Sequence, residues 1–135
     1  MPVQHLNPDG ITKPESYWQV AVATGSRTVY VAGQTALDEN GVPIHEGDLV
    51  AQTERVYRNL VVALKGAGAT FADVTSLTVY VVNLTPEKRE QYRAGVERAA
   101  QALNIDLRKP STLLGVTSLA RPPFLIEIEA IAVLP

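Results

Sequence analysis

The sequence predicts an α+β domain in which two helices cover one face of a single mixed sheet. Three observations favour this class. Residues 124–133 are rich in β-branched side chains and contain no Gly or Pro, as in a strand. Two other segments carry apolar side chains at three- and four-residue spacing, as amphipathic helices do. The length of 135 residues is that of one domain, so we treat residues 1–135 as a single unit.

Two alternating segments near the N-terminus predict strands at residues 18–24 and 27–34. Gly25 and Ser26 lie between them and predict a tight hairpin turn. Asn40 and Gly41 predict a second turn, of type I′, in which both residues adopt positive φ. Together with Asp38 this turn is similar to a fragment of a calcium loop. The closing glutamate is missing at the required spacing, so calcium binding is not expected.

Two helices are predicted from their caps. Asp48 is a favourable N-cap for the first, which Gly66 and Gly68 end. Thr85 followed by Pro86 begins the second, which runs to about residue 102. Basic residues of the second helix are expected on its solvated surface, namely Lys88, Arg89, Arg93 and Arg98.

Three further strands are predicted, and the predicted order is β-β-β-α-β-α-β-β, in which one of the three strands before the first helix has no assigned residues. Residues 75–84 are apolar on both faces, which predicts a central strand covered on both sides. The last two strands are predicted at residues 111–118 and 124–133. Because the two helices cover only one face of the sheet, we expect the other face to be covered by oligomerisation.

The last strand carries two carboxylates. Side chains alternate along a strand, so Glu127 and Glu129 share one face while the opposite face is entirely apolar. Residues at this spacing lie roughly 6.5–7 Å apart. Such a pair is solvated, bound to a cation or used in chemistry, and the pattern alone leaves these alternatives open.

Composition excludes several classes of site and partner. The chain has no cysteine, and His5 and His45, expected in loops or termini, are too few for a metal site. A net charge of −2 and a pI near 5.6 argue against binding to nucleic acid or to an anionic membrane. No apolar run approaches the ~20 residues that cross a bilayer. Residues 1–10 lack the features of a signal peptide, so a cytoplasmic location is expected.

Four segments occur in the order and spacing of a known family: Tyr17, VYVAGQ at 29–34, TVYV at 78–81 and IEIEAIA at 126–132. On these residues the chain resembles the RidA/YjgF family, also called endoribonuclease L-PSP, over essentially its whole length. The resemblance implies a chorismate-mutase-like fold and a homotrimer with a small-molecule cleft at each subunit interface. The best-known members hydrolyse reactive 2-imino or 2-enamino acids to 2-keto acids, and they use no cofactor.

The resemblance also implies site residues. Glu127 matches the glutamate that positions the attacking water, Gly33 the glycine whose backbone faces the substrate, and Tyr17 the N-terminal tyrosine. Ser111 occupies the position of the arginine whose guanidinium binds the substrate carboxylate. A hydroxyl replaces neither the charge nor the fork of a guanidinium. We therefore expect weak or absent turnover of 2-imino acids derived from ordinary amino acids.

Two functions remain open at this stage. One is a cofactor-free hydrolase of imines, enamines or related small carbonyl compounds, with Glu127 as catalytic residue. The other is a non-catalytic trimer that binds a small metabolite through Tyr17, Gly33 and Ser111. A nuclease would need basic grooves that this composition does not offer. Arg108 and Lys109 are interpreted as solvated loop residues, with a charge in the cleft as the alternative.

Overall fold

The computed structural model describes residues 3–135, and so all but the first two residues of the predicted unit. Its elements follow the predicted order β-β-β-α-β-α-β-β. The strands are β1 (Val3–Leu6), β2 (Val20–Ala23), β3 (Arg27–Gln34), β4 (Val74–Val82), β5 (Ser111–Val116) and β6 (Ile126–Leu134), and the helices are α1 (Leu49–Gly66) and α2 (Pro86–Leu103). A short 3₁₀ turn, Phe71–Asp73, precedes β4.

Four strands form the main sheet, in the order β3-β6-β4-β5. The β4–β5 pair is parallel and the other two pairs are antiparallel. The sheet is therefore mixed, and the α+β class is confirmed. β4 lies between β6 and β5, which confirms its predicted central position.

The N-terminal strands pair differently from the prediction. β2 pairs with β1 in a separate two-stranded sheet, whereas β3 pairs with β6. The predictions of a β2–β3 hairpin and of a single sheet are therefore both wrong. Gly25 lies instead against the end of β6. A Cβ there would come within 2.1 Å of the carbonyl oxygen of Leu134. The glycine is needed for this close approach rather than for a hairpin turn. His5, expected in a loop or terminus, lies in β1.

The predicted type I′ turn is also wrong. Gly41 has a φ of +76°, but Asn40 is not among the described residues with positive φ. The carboxylate of Asp38 accepts the backbone N–H groups of Asn40 and Val42, each at 2.9 Å. This side chain therefore replaces a backbone partner in the turn, as aspartates in Asx turns do.

Both helices begin as predicted. The carboxylate of Asp48 accepts the Ala51 N–H at 3.0 Å at the start of α1. The Thr85 hydroxyl accepts the Lys88 N–H at 3.1 Å at the start of α2. Each bond satisfies one of the N–H groups that a helix start leaves unpaired. Gly68, at φ +80°, follows the end of α1.

The core lies between the helices and one face of the main sheet, here called the helix face. Alternate residues of β6 are buried there, namely Ile126, Ile128, Ala130, Ala132 and Leu134. α2 packs closely on α1 at Gly95, where a Cβ would lie 2.5 Å from the Cβ of Thr53. The opposite face, here called the open face, has no covering element within residues 3–135. Within one chain the central strand β4 is therefore covered on one side, and its coverage on the other side stays a prediction that depends on oligomerisation.

Candidate functional site

Glu127 lies on the open face against Gly33 of the neighbouring strand. The register between β3 and β6 shifts between Val31 and Gln34, and Gly33 lies within that irregularity. A Cβ at position 33 would lie 1.9 Å from Oε2 of Glu127. The absence of a side chain at Gly33 therefore allows the carboxylate to lie directly against the backbone of β3.

The two carboxylates of β6 have different surroundings. Glu129 accepts a hydrogen bond of 2.7 Å from the hydroxyl of Tyr80. Glu127 is half-buried and forms no hydrogen bond with the side chains of residues 3–135. Burial, reinforced by the like charge of Glu129, raises the pKa of the Glu127 carboxyl. Of the predicted pair, Glu127 is thus the one whose oxygens remain available to a water or a ligand.

A shallow depression of about 460 Å³ lies beside this pair on the sheet. Glu129 lines it, together with Ser76 and Thr78 of β4. Tyr30 and Ile131 also line it and are 76% and 37% exposed in the single chain. The open face thus presents large apolar side chains next to a carboxylate.

Tyr17 and Ser111 line a different and larger cavity, of about 930 Å³. Ser111 begins the edge strand β5 and lies opposite Leu77, whose side chain is buried on the helix face. Tyr17 comes from the loop between β1 and β2. The cavity has β4 and β5 on one side and α2 on another, with residues of all three in its lining.

The structure therefore brings the predicted site residues together in two pairs. Gly33 belongs to the edge strand β3, and Glu127 belongs to the adjacent strand β6. Tyr17 and Ser111 lie at the opposite edge of the sheet, at β5. The two pairs also belong to opposite faces of the sheet, because Glu127 is paired with Tyr80 on the open face. A cleft that holds all four residues would need a second copy of the chain, and it stays a prediction.

The cavity contains residues that the sequence analysis did not assign to a site. The hydroxyls of Tyr57 and Tyr92 lie 3.1 Å apart, and both side chains line the cavity. Burial raises the pKa of both phenols. Arg89 and Arg93 also line it, and both are exposed, as expected of basic residues on the solvated surface of α2. The available signal was the spacing of Arg89, which lies three residues before Tyr92 and four before Arg93, since residues three and four apart share a helix face.

Arg108 and Lys109 differ in their surroundings. Arg108 lines the cavity, but its guanidinium binds both carboxylate oxygens of Asp106, at 3.0 and 2.7 Å. Lys109 is only 5% exposed, and its Nζ lies 5.6 Å from the ring centre of Phe71. Burial lowers the pKa of Lys109. The interpretation of Lys109 as a solvated loop residue is therefore wrong.

The described part of the chain offers neither a metal centre nor a membrane-spanning helix. Within residues 3–135, no three His, Asp or Glu side chains form a group that could hold a metal ion. In the same part of the chain, no helix has both the length and the apolar character needed to cross a membrane.

Comparison with known sequences identifies the family. The profile described as Endoribonuclease L-PSP matches residues 10–134. A RutC family protein of Pyrococcus abyssi is 32% identical over 125 residues, which cover 89% of this chain and 88% of that protein. The chain belongs to this family, the RidA/YjgF family of small-molecule-processing proteins.

Solved structures agree with the fold. YyfB of Yersinia pestis, a Rid family protein of unknown function, superposes with a TM-score of 0.87 at 36% identity, covering 99% of this chain and all of its own. TdcF of E. coli, solved with bound serine, superposes with a TM-score of 0.69 and covers 93% of this chain and 92% of its own. At 23% identity, TdcF supports the fold alone.

Proposed function

We propose that this protein is a cofactor-free hydrolase of a small imine, enamine or related carbonyl compound. The observation that supports this most is the Glu127 carboxylate, half-buried against Gly33 with a raised pKa and no hydrogen-bonding side chain. Glu127 would orient a water and accept its proton as the water adds to the C=N carbon. It would then pass the proton to the nitrogen as the C–N bond breaks, so that ammonia or an amine leaves and the carbonyl product remains. General-base catalysis of this kind typically contributes about 10²–10⁴-fold in rate.

A raised pKa suits that task. A carboxylate is a stronger base as its pKa approaches the working pH, provided that it remains largely ionised. Burial and the neighbouring Glu129 act in this direction on Glu127. Tyr80 holds Glu129 through its hydroxyl, which fixes the second charge beside the first. The backbone at Gly33 would supply a polar contact to the substrate.

We propose further that the site is completed in a homotrimer. Gly33 and Glu127 lie at one edge of the main sheet, and Tyr17 and Ser111 lie at the other. A head-to-tail interface that packs the open face beside β3 of one subunit against the β5 edge of the next would bring the two pairs together, and three such interfaces would close a ring. It would also cover the exposed Tyr30 and Ile131.

Ser111 restricts the substrate. A bidentate arginine contributes charge-assisted hydrogen bonds worth roughly 1.5–3 kcal/mol each and fixes the substrate's orientation. Each 1.36 kcal/mol is about tenfold in rate. Without that clamp, imino acids from ordinary amino acids should be poor substrates. The substrate therefore lacks a carboxylate at that position or anchors it through other residues.

A second candidate function is binding without chemistry. Ser111 favours it, because a hydroxyl can hold a neutral ligand while providing no guanidinium for an imino-acid carboxylate. In that case Glu127 would accept a hydrogen bond from a donor on the ligand, and its replacement would weaken binding rather than turnover.

A substrate screen tests the proposal. Imines and enamines generated in situ would be offered to the wild-type protein, to Glu127→Gln and to the control Glu46→Gln, which alters an exposed loop residue. We expect at least one substrate whose hydrolysis falls about a hundredfold or more in Glu127→Gln and is unchanged in the control. Hydrolysis that survives Glu127→Gln would contradict the assigned role, and binding without hydrolysis would favour the second function.

A further inference from the structure

The two-stranded sheet β1–β2 is joined to the main sheet through His5. Side chains alternate along β1, so His5 shares the inner face with Val3, which is only 3% exposed. Nε2 of His5 lies 3.3 Å from the carbonyl oxygen of Val74, at the start of β4, and donates to it. In the part of the chain that the structure describes, this is the only hydrogen bond between residues 3–23 and residues 27–135.

Cations lie close to this imidazole. The ring centres of His5 and Trp18 are 6.2 Å apart, and Cζ of Arg108 lies 5.5 Å from the centre of the Trp18 ring. Lys109, which is buried, acts on His5 through its charge. Arg108 and Lys109 both belong to the segment that leads into β5. A proton on the half-buried His5 would therefore add a third positive charge to this cluster.

Two carboxylates and one carbonyl oppose these cations only in part. Asp106 favours a charged His5, but both of its oxygens are already bound by the guanidinium of Arg108. The charge of Asp73 acts on Lys109. The carbonyl at the start of β4 accepts from either form of the imidazole and favours the charged one. Burial, followed by the charge of Lys109, outweighs these groups and lowers the pKa of His5.

The same contact fixes one wall of the cavity between α2 and β5. Tyr17, which lines that cavity, directly precedes Trp18 in the loop between β1 and β2. Lys109 lies two residues before Ser111, the other predicted site residue on this side. The loop is hydrogen-bonded to the main sheet only through the small sheet, within residues 3–135. A movement of that small sheet away from β4 would therefore carry Tyr17 with it.

We propose that His5 is a pH-sensitive contact, whose neutral imidazole holds the sheet β1–β2 and the Tyr17 loop on β4 and whose protonation releases them. The sign follows from proton linkage. In the released sheet the imidazole is solvated and has the ordinary histidine pKa of about 6.5, whereas in the attached sheet its pKa is lower. The contact therefore stabilises the attached sheet fully above about pH 6.5 and loses this effect as the pH falls through the lowered pKa.

Amide hydrogen exchange followed by mass spectrometry, at about pH 7.5 and about pH 5.5, tests this assignment on either side of the ordinary histidine pKa. The protection of the β1–β2 amides, corrected for the intrinsic exchange rate at each pH, measures the opening equilibrium of the small sheet. We expect this protection to fall about twofold or more at the lower pH, because the released form takes up the proton more readily. The amides of β4 and β6 should keep their protection.

Three variants complete the experiment. His5→Gln keeps an N–H donor but cannot take up a proton in this range, so its protection should not change with pH. Lys109→Met removes the neighbouring cation and should lessen the fall. The matched control is His45→Asn, at the only other histidine, since Asn tolerates the φ of +60° there. It should behave like the wild type.

Three results would overturn the proposal. They are wild-type protection that does not depend on pH, an equal fall in His5→Gln, and a fall that β4 and β6 share with the small sheet. None of these measurements uses a substrate, so the outcome does not depend on the proposed hydrolysis.

Discussion

The two edges of the main sheet hold the two halves of the candidate site, and they differ in what they retain of the family's pattern. At β3, Gly33 and Glu127 match it in sequence and lie in contact in the structure. At β5, Ser111 is expected at the position of the clamping arginine, and Arg89, which lines the same cavity, lies on α2. If the reacting centre is kept while the group that anchors the substrate is lost, substrate choice should change more than the chemistry.

Two glycines give the sharpest contrast within this comparison. Gly33→Ala would place a Cβ against the end of the flexible Glu127 side chain, so the carboxylate should swing away. We expect activity to fall about a hundredfold, as a 1 Å displacement of a reacting group can cause, with stability changed by less than about 1 kcal/mol. Turnover of an imine and the midpoint of urea unfolding would be measured together.

Gly95→Ala is the matched control and should show the opposite effects. Its Cβ would meet the Cβ of Thr53 at 2.5 Å and the carbonyl oxygen of Val50 at 2.9 Å, neither of which can swing away. Overpacking of about 1–3 kcal/mol, partly offset by a helix-propensity gain of about 1 kcal/mol, should leave the protein less stable by up to about 2 kcal/mol. Equal losses of activity in both variants would show that Gly33 has no special relation to Glu127.

Ser111→Arg tests the other edge. A guanidinium there should restore the missing clamp and raise kcat/KM for 2-imino acids about tenfold or more, because a charge-assisted bond is worth at least about 1.5 kcal/mol. The imino acids would be generated by an amino-acid oxidase, and keto-acid formation would be followed. Ser118→Arg, in an exposed loop, is the control. An equal gain in the control, or no gain in Ser111→Arg, would show that position 111 does not face the substrate.

The pH profile sharpens the description of the Glu127 edge. A general base must be ionised, so activity should fall as the pH drops through the raised pKa of Glu127, above the usual value of about 4.3. Glu129→Gln removes the like charge that contributes to the shift. The acid limb should therefore move to lower pH in that variant. A limb that does not move would mean that burial alone sets the pKa.

The smallest expected effect concerns nucleic acid. Arg98 and Arg58 both contact Glu54, and Arg108 binds Asp106, so several of the basic side chains are locally neutralised. With a pI near 5.6, the protein should show no RNA binding that survives physiological salt. Filter binding across a salt series would measure it. Tight RNA binding whose affinity falls steeply with salt concentration would contradict this prediction and favour the nuclease activity that the family's older name suggests.

Local patterns were sufficient to predict the elements but not all of their pairings. Asp48 and Thr85 mark the helix starts correctly because a cap depends on neighbouring residues only. The interpretation of Gly25 as a turn residue is wrong. A glycine is needed there because the backbone approaches the carbonyl of Leu134, which lies 109 residues later in the chain. A short turn signal cannot distinguish a hairpin from a close approach to a distant strand.

The candidate site was predictable in composition but not in arrangement. Glu127 and Gly33 follow from the family pattern, yet their contact depends on a register irregularity between β3 and β6 that no local pattern encodes. Lys109 was misread because its burial on Phe71 depends on a residue 38 positions earlier. Arg89 is exposed as predicted, but helical periodicity describes only the face of a helix and so did not show that Arg89 also lines a cavity.

The central claim is that the two edges meet between subunits, and cross-linking tests it most directly. The chain has no cysteine, so Ala32→Cys, beside Gly33, and Ser111→Cys each provide a single thiol. The two variants would be refolded together and treated with a short bismaleimide. We expect a cross-linked dimer in the mixture, little in either variant alone, and an uncross-linked mass by light scattering of three times 14.6 kDa. A monomeric mass, or a trimer without cross-links specific to the mixture, would contradict the account.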